Sequence, residues 1–214
     1  MGGSEVGSFD VYYAGTPLWD IGRPQKAMRT LAEAGAFRGR VLEIGCGTGE
    51  VALMAAALGL PAVGIDSAPT AIRTAQRKAR ERNLDARFHV GNALELDRLG
   101  EQFDTVLDCA LFHAFSDAER IRYADSLATV MPADARLFLL CLSDGHQPGG
   151  GPGPVGQGGI RPSQGGMRAR RVSQDGIRDT FAIGWRIDSI EATTLENNRD
   201  IDGAPGWLAT IART

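Results

Sequence analysis

At 214 residues, 43% of them apolar and 23% charged, the chain has the make-up of a single soluble globular domain. A formal net charge of −3 opposes a general nucleic-acid or acidic-membrane binder, although Arg168-Ala169-Arg170-Arg171 is locally basic. Three cysteines without C-x-x-C spacing suit a reducing cytoplasm. The absence of a leader-like start or a run of about 20 apolar residues gives no reason to expect a signal peptide or a membrane span.

Residues 1–9 are rich in Gly and Ser and read as a frayed arm. Residues 12–25 combine aromatics, Gly and Pro, a mixture that suits neither a regular helix nor a central strand. From about Pro24 a helix is predicted, with Ala27, Met28, Leu31 and Ala34 at helical spacing and Gly35 or Gly39 to stop it. Val41-Leu42-Glu43-Ile44 is a short apolar strand that runs into Gly45-Cys46-Gly47-Thr48-Gly49, and 51–58 is helical. A second strand, 62–66, ends on Asp66, and a helix capped by Ser67, with Pro69 just after, runs to about Arg82. The third strand, 87–91, ends at Asn92, and the fourth, 103–108, at Asp108. A helix over 117–130 and a strand over 136–142 follow.

Residues 146–166 are dominated by Gly and Pro and form a surface insertion, either a lid or plain disorder. Ser173 caps a further helix, and 185–192 and 207–212 are closing strands that could pair as an antiparallel hairpin. Strands alternating with helices imply βαβ units and a parallel sheet covered on both faces, in one domain spanning 1–214.

The spacing Gly45-x-Gly47-x-Gly49 departs from the dinucleotide fingerprint, whose third glycine belongs at position 50, where Glu50 stands. A carboxylate there would repel a pyrophosphate at a helix N-terminus. No Gly-Lys-Ser/Thr follows, so it is no P-loop either. By itself the triplet could be only a tight turn. Groups at successive strand ends add to it, because ligands of open parallel sheets sit over the carboxyl ends of the strands. Asp66 is placed to accept the hydroxyls of a ribose, Asn92 to pair with an adenine edge, and Asp108 closes the fourth strand. Together they specify an adenosine-containing ligand without a phosphate binder.

In the order Val41–Gly49, Val63-Gly64-Ile65-Asp66, Gly91-Asn92-Ala93 and 103–108, these motifs resemble the class I S-adenosylmethionine-dependent methyltransferases. Pro17-Leu18-Trp19-Asp20-Ile21-Gly22-Arg23-Pro24-Gln25 resembles the lead-in of the thiopurine/tellurite/halide-type small-molecule enzymes and of relatives acting on phenols and heterocycles. The resemblance implies a Rossmann-like α/β fold, a mostly parallel seven-stranded sheet with a C-terminal antiparallel hairpin and helices on both faces. It implies S-adenosylmethionine as methyl donor, with Gly45, Gly47 and Gly49 at the methionine moiety, Asp66 at the ribose, and Asn92 with Ala93 at the adenine. Trp19, in an arm over 1–23, would cover the methionine end. Ser67 stands where many relatives stack a bulky apolar residue on adenine, and Asn92 where many have Asp. Glu43 is expected near the cofactor's ammonium or in an ion pair with an Arg, and Asp108 either holds the amino group or ends its strand.

Methyl transfer to an acceptor that must lose a proton calls for a base, and His113 in Leu111-Phe112-His113-Ala114-Phe115 is the candidate, with backbone bonding as the alternative. Tyr13, Phe112 and Phe115 are candidates to line a flat acceptor pocket; His89 and His146 are read as structural and solvated. No metal cluster is visible. The expected partner is a small aromatic or heterocyclic acceptor methylated on O, N or S. The rival functions are a nicotinamide- or nucleotide-sugar-dependent oxidoreductase and a non-catalytic cofactor-binding module.

Overall fold

The computed structural model describes residues 9–145, 169–200 and 202–214. The insertion at 146–166, with His146, lies outside the described residues, as do residues 1–8 of the N-terminal arm. In chain order the regular elements are α1 (Lys26–Glu33), β1 (Val41–Ile44), α2 (Glu50–Ala57), β2 (Ala62–Asp66), α3 (Pro69–Glu81), β3 (Ala86–Val90), β4 (Thr105–Cys109), α4 (Asp117–Val130), β5 (Arg136–Leu142), α5 (Gln174–Thr180), β6 (Trp185–Leu195) and β7 (Ala204–Arg213).

All seven strands form one sheet in the order β3-β2-β1-β4-β5-β7-β6. The first five positions are parallel; β7 pairs antiparallel to β5 and to β6. Chain direction reverses at β1, which pairs β2 on one side and β4 on the other, so a crevice opens over the carboxyl ends of β1 and β4. All of β1 is buried, and its alternate residues face two different cores. Leu42 and Ile44 pack with Val106, Leu137 and Leu139; Val41 packs on the other face with Leu107, Phe138 and Leu140. Two covered faces explain why these strands read as near-continuous apolar runs rather than as alternation.

Helix starts follow local chemistry with two exceptions. Ser116 and Glu119 form a reciprocal capping box on α4, and the Ser173 hydroxyl accepts the Gly176 N–H on α5. On α3, however, Ser67 does not cap: Ala68 holds the cap position and Pro69 begins the helix. The first-turn donor is satisfied from the N-terminal arm, where Asp10 accepts the Thr70 N–H at 2.7 Å and the Thr70 hydroxyl at 3.0 Å. Similarly, α1 starts at Lys26 rather than Pro24, and its Lys26 N–H donates to the Glu196 carboxylate at 2.6 Å from the β6–β7 connection. Among the described residues no helix is long and apolar enough to cross a membrane.

Candidate active site

The turn after β1 carries three residues in the left-handed region, Gly45 (φ +65°), Gly47 (φ +52°) and Gly49 (φ +86°), which side chains rarely tolerate. Their surroundings separate their roles. A Cβ on Gly49 would lie 2.7 Å from the Phe88 ring and 2.9 Å from the Ala75 Cβ, so the third glycine lets β3 and α3 pack against the start of α2. A Cβ on Gly45 would meet the Leu111 Cβ at 2.9 Å, and one on Gly47 the Tyr13 hydroxyl at 2.9 Å. Only Gly45 and Gly47 open the backbone toward the crevice.

Over that crevice lies the aromatic lead-in. The cleft between them has a cavity volume of about 60 Å³ and is lined by Tyr13, Trp19, Asp20, Glu43, Gly45, Gly47, Cys109 and Ala110, among others. The Trp19 indole Nε1–H donates to the Tyr13 hydroxyl at 3.1 Å, and the Tyr12 ring packs edge-on to Trp19 at 5.5 Å. The lead-in is held from three sides. Asp10 ties it to α3. Asp20 accepts the Thr48 hydroxyl at 3.1–3.2 Å, and Thr48 itself accepts from Lys78 at 2.7 Å. Gln25 and the Glu196 backbone exchange two bonds of 2.8–2.9 Å, while Asn198 bonds the Leu18 and Pro17 carbonyls. None of these partners was identified from sequence, since each pair is far apart along the chain. Ala110, with φ +79° beside the cleft, is a further residue missed; strain of this kind collects at functional sites.

The acidic groups behave differently from one another. Asp66, at the end of β2, accepts the Gly47 N–H through Oδ2 and the Ala68 N–H through Oδ1, both at 2.8 Å. Burial raises its pKa against those backbone donors. Each oxygen keeps a lone pair for a further donor. Glu43 is buried beneath the turn and accepts the Ala52 N–H at 2.7 Å; burial pushes its pKa up to about 8, and among the described residues no Arg forms an ion pair with it. Glu50, though burial acts against it, is held below the usual carboxylate range by Arg82 and Lys78, at 2.9 and 2.8 Å. Its charge is therefore spent on clamping α2 to α3, and the sequence argument that it would repel a ligand phosphate loses its force. Asn92 accepts the Leu94 N–H at 3.0 Å in an Asx turn, which leaves chiefly its amide N–H groups for a base edge. Ser67 and Ala93 are half-buried beside Asp66 and Asn92.

Four expected site residues lie outside the cleft lining. Asp108 is fully buried: Oδ1 accepts from the Leu111 and Phe112 N–H groups and Oδ2 from the Tyr123 hydroxyl at 2.9 Å. Burial pushes its pKa up to about 6, and it organises the loop after β4 rather than reaching a ligand amine. Phe112 is core, packed on Tyr123 and stacked with Phe181 at 6.0 Å. Phe115 is half-buried against Tyr123 at 5.1 Å and is not among the residues that line the cleft. His113 is buried with Nδ1 accepting the Leu142 N–H at 3.2 Å, and burial, then the Arg120 charge, push its pKa down to about 4. With Nδ1 occupied, Nε2 carries the proton, so the ring is a donor and not a base in this arrangement. Apolar composition places aromatics in a loop but does not say which way they face. Of the candidates, Tyr13, Trp19, Glu43, Gly45 and Gly47 line the cleft, and Asp66 contacts it through the Gly47 N–H.

Residues 41–133 match the family model described as a methyltransferase domain. The 2-heptyl-1-hydroxyquinolin-4(1H)-one methyltransferase of Mycobacteroides abscessus is 31% identical over 188 residues, 87% of this chain and 76% of that protein. The chain belongs to the S-adenosylmethionine-dependent methyltransferases. A solved structure described under the conversion of a disulfide bond into a thioacetal group during echinomycin biosynthesis is 34% identical, with a TM-score of 0.80 over 96% of this chain and 91% of that one. A probable thiol methyltransferase of Arabidopsis thaliana is 28% identical over 65% of this methyltransferase and 62% of its own length. The fold is accordingly the Rossmann-like class I fold, and the methyl donor is S-adenosylmethionine. The residues at the cleft fit that donor: left-handed glycines open the backbone at Gly45 and Gly47, and buried Glu43 and half-buried Asp66 present carboxylates to a ligand that carries cationic and hydroxyl groups.

Proposed function

We propose that this methyltransferase acts on a small aromatic or heterocyclic acceptor through O, N or S, in the cytoplasm and without a nucleic-acid partner. The observation that carries the reading is the aromatic lead-in, with Tyr13 and Trp19 bonded to each other and tethered over the glycine turn. A cover tethered over the crevice favours a small acceptor beside the donor over a polymer, which would need the crevice open to solvent. The hydroxyquinolone and thiol acceptors named for two relatives support the same class.

S-adenosylmethionine supplies a methyl group already activated on a sulfonium sulfur. The chain's residues therefore bind, align and exclude water. Asp66 takes the ribose hydroxyls, and Asn92 with Ala93 the adenine, Asn92 donating through its amide. Ser67 lies beside the adenine. Glu43 faces the ammonium, and the Gly45–Gly47 backbone carries the methionine moiety under Trp19. The third glycine, Gly49, contributes through packing, and Tyr13 borders the acceptor side. His113 acts as a fixed hydrogen-bond donor. The test is a mass-spectrometric screen of phenols, thiols and N-hydroxy heterocycles with S-adenosylmethionine: a methylated product supports the reading. Turnover confined to peptides or nucleic acids contradicts it.

A further inference from the structure

The cleft under the lead-in is lined by Glu43, Gly45, Gly47, Cys109 and Ala110 but by neither Asp66 nor Asn92. With the donor placed as above, the cleft takes its methionine end, and the nucleoside lies beyond it. That end carries an ammonium and a carboxylate on one carbon. Glu43 answers the ammonium. The carboxylate needs a cation of its own, because acidic side chains nearby repel it.

The charged groups of the lining are Asp20, Arg23, Glu43 and Glu50, so Arg23 is the one cation among the described residues there. The other polar side chains at this rim are already engaged. Glu50 is clamped by Lys78 and Arg82 at 2.8 and 2.9 Å. Asp20 accepts from the Thr48 hydroxyl and, at 3.3 Å, from the Gly22 N–H. Gln25 gives both ends of its amide to the Glu196 backbone. Arg23 is different. Its Nη1 meets the Glu196 Oε1 at 2.8 Å, and its Nε and Nη2 have no partner among the described residues. The Arg23 side chain is 52% exposed, so this ion pair contributes little to stability. Glu196 does not depend on it, since its carboxylate also accepts the Lys26 N–H at 2.6 Å.

The backbone that carries Arg23 is fixed. Gly22 precedes it in the left-handed region (φ +68°), inside the turn that Asp20 closes. Pro24 follows it and confines it to extended conformations, and the Pro24 carbonyl accepts from Arg29 at 2.6 Å. A long cation on a rigid rim, loosely paired and half in solvent, can turn to a ligand oxygen without moving the lead-in. Its Nε–Nη2 edge matches the two oxygens of a carboxylate in a planar fork.

We propose that Arg23 binds the carboxylate of the methyl donor, across the cleft from Glu43, and thereby selects adenosyl ligands that carry an intact amino acid. This rests on the placement of the donor in this cleft and assigns a residue to the one charged group of the ligand that the glycine turn and the carboxylates leave unmatched. Adenosyl thioethers without the carboxylate gain nothing from the guanidinium. The lead-in then discriminates among adenosyl ligands as well as covering them.

The test is calorimetric titration of the full chain with three probes: S-adenosylhomocysteine, its decarboxylated analogue and 5′-methylthioadenosine. The wild type should bind adenosylhomocysteine at least about tenfold tighter than the decarboxylated analogue. Arg23→Gln should bring those two affinities within about threefold of each other, through a loss confined to adenosylhomocysteine, and leave methylthioadenosine binding within about threefold of the wild type. Arg23→Lys should keep part of the discrimination, as a point charge without the fork. Undiminished discrimination in Arg23→Gln overturns the proposal, as does equal wild-type affinity for adenosylhomocysteine and its decarboxylated analogue. An equal loss for all three probes also overturns it, because that result marks Arg23 as a tether of the lead-in. Failure of the wild type to bind any of the three would instead overturn the placement of the donor, and this proposal with it.

Discussion

The Thr48 hydroxyl joins the aromatic lead-in to the glycine turn, lying 3.1–3.2 Å from both oxygens of Asp20 while accepting from Lys78 at 2.7 Å. Lys78 also pairs with Glu50, so one hydroxyl connects the cleft's cover to the clamp between α2 and α3. Thr48→Val keeps the shape and removes both bonds. The expected cost is about 1 kcal/mol of stability, since two part-buried charged groups lose a partner. A several-fold loss of adenosylhomocysteine affinity should accompany it, read by titration calorimetry. Unchanged affinity would mean that the tether holds the lead-in without shaping the site.

The second and third glycines of the motif, Gly47 and Gly49, call for opposite outcomes. Gly49→Ala forces a side chain into φ +86° and against Phe88 and Ala75, costing at least about 2 kcal/mol through strain and overpacking. Gly47→Ala meets only the Tyr13 hydroxyl, so it should cost about 1 kcal/mol in stability and lower adenosylhomocysteine affinity about tenfold or more. Denaturant unfolding and calorimetry on both variants separate the two roles, and equal stability losses would contradict the assignment.

Glu43 makes the ligand-free protein pH-sensitive. Its folded pKa, about 8, lies above the usual carboxylate range. Between that range and pH 8 the native state holds a proton that the unfolded state has released, so this group's contribution to stability falls as pH rises through the window. An ammonium beside it favours the ionised form, so adenosylhomocysteine binding near neutrality should release a proton. The apparent binding enthalpy should then vary with the buffer's ionisation enthalpy, and Glu43→Gln should abolish that dependence and flatten the stability profile. A buffer-independent enthalpy in the wild type would remove Glu43 from the ammonium's surroundings.

His113 carries the opposite sign. Its folded pKa, about 4, lies below the ordinary imidazole value, so between the two the unfolded state binds the extra proton. Its contribution to stability rises with pH across that window and is flat above it. The ring's proton resonances should stay constant between about pH 5.5 and 8, and kcat should show no inflection from an imidazole in that range. A ring that titrates near neutrality would restore it as a base.

The sheet and its turn were legible because their signals are local. Val41–Ile44, Ala62–Asp66 and Thr105–Cys109 are largely buried and read as near-continuous apolar runs, and the left-handed turn leaves its glycines in plain view. What escaped is non-local or directional. Asp10 caps α3 from 60 residues away, and Glu196 caps α1 from 170; a cap borrowed across the fold has no spacing to read. Phe112 and Phe115 carry the same chemistry whether they face a pocket or a core, and only the fully bonded Asp108 beneath their loop decides for the core. Arg120 carries no local signal that sets it apart from the other charges of α4. Its burial over Phe112 is completed by α5, which packs beside α4 from more distant sequence.

Calorimetric titration with S-adenosylhomocysteine of the wild-type chain beside Asp66→Ala is the most direct test of the central claim, that the cleft between the glycine turn and the lead-in holds the methyl donor. The account predicts one-to-one binding by the wild type and a loss of about tenfold or more in the variant, because the carboxylate that braces Gly47 and takes the ribose is gone. Equal binding by both proteins, or protection against thermal unfolding by NAD and not by adenosylhomocysteine, would contradict it.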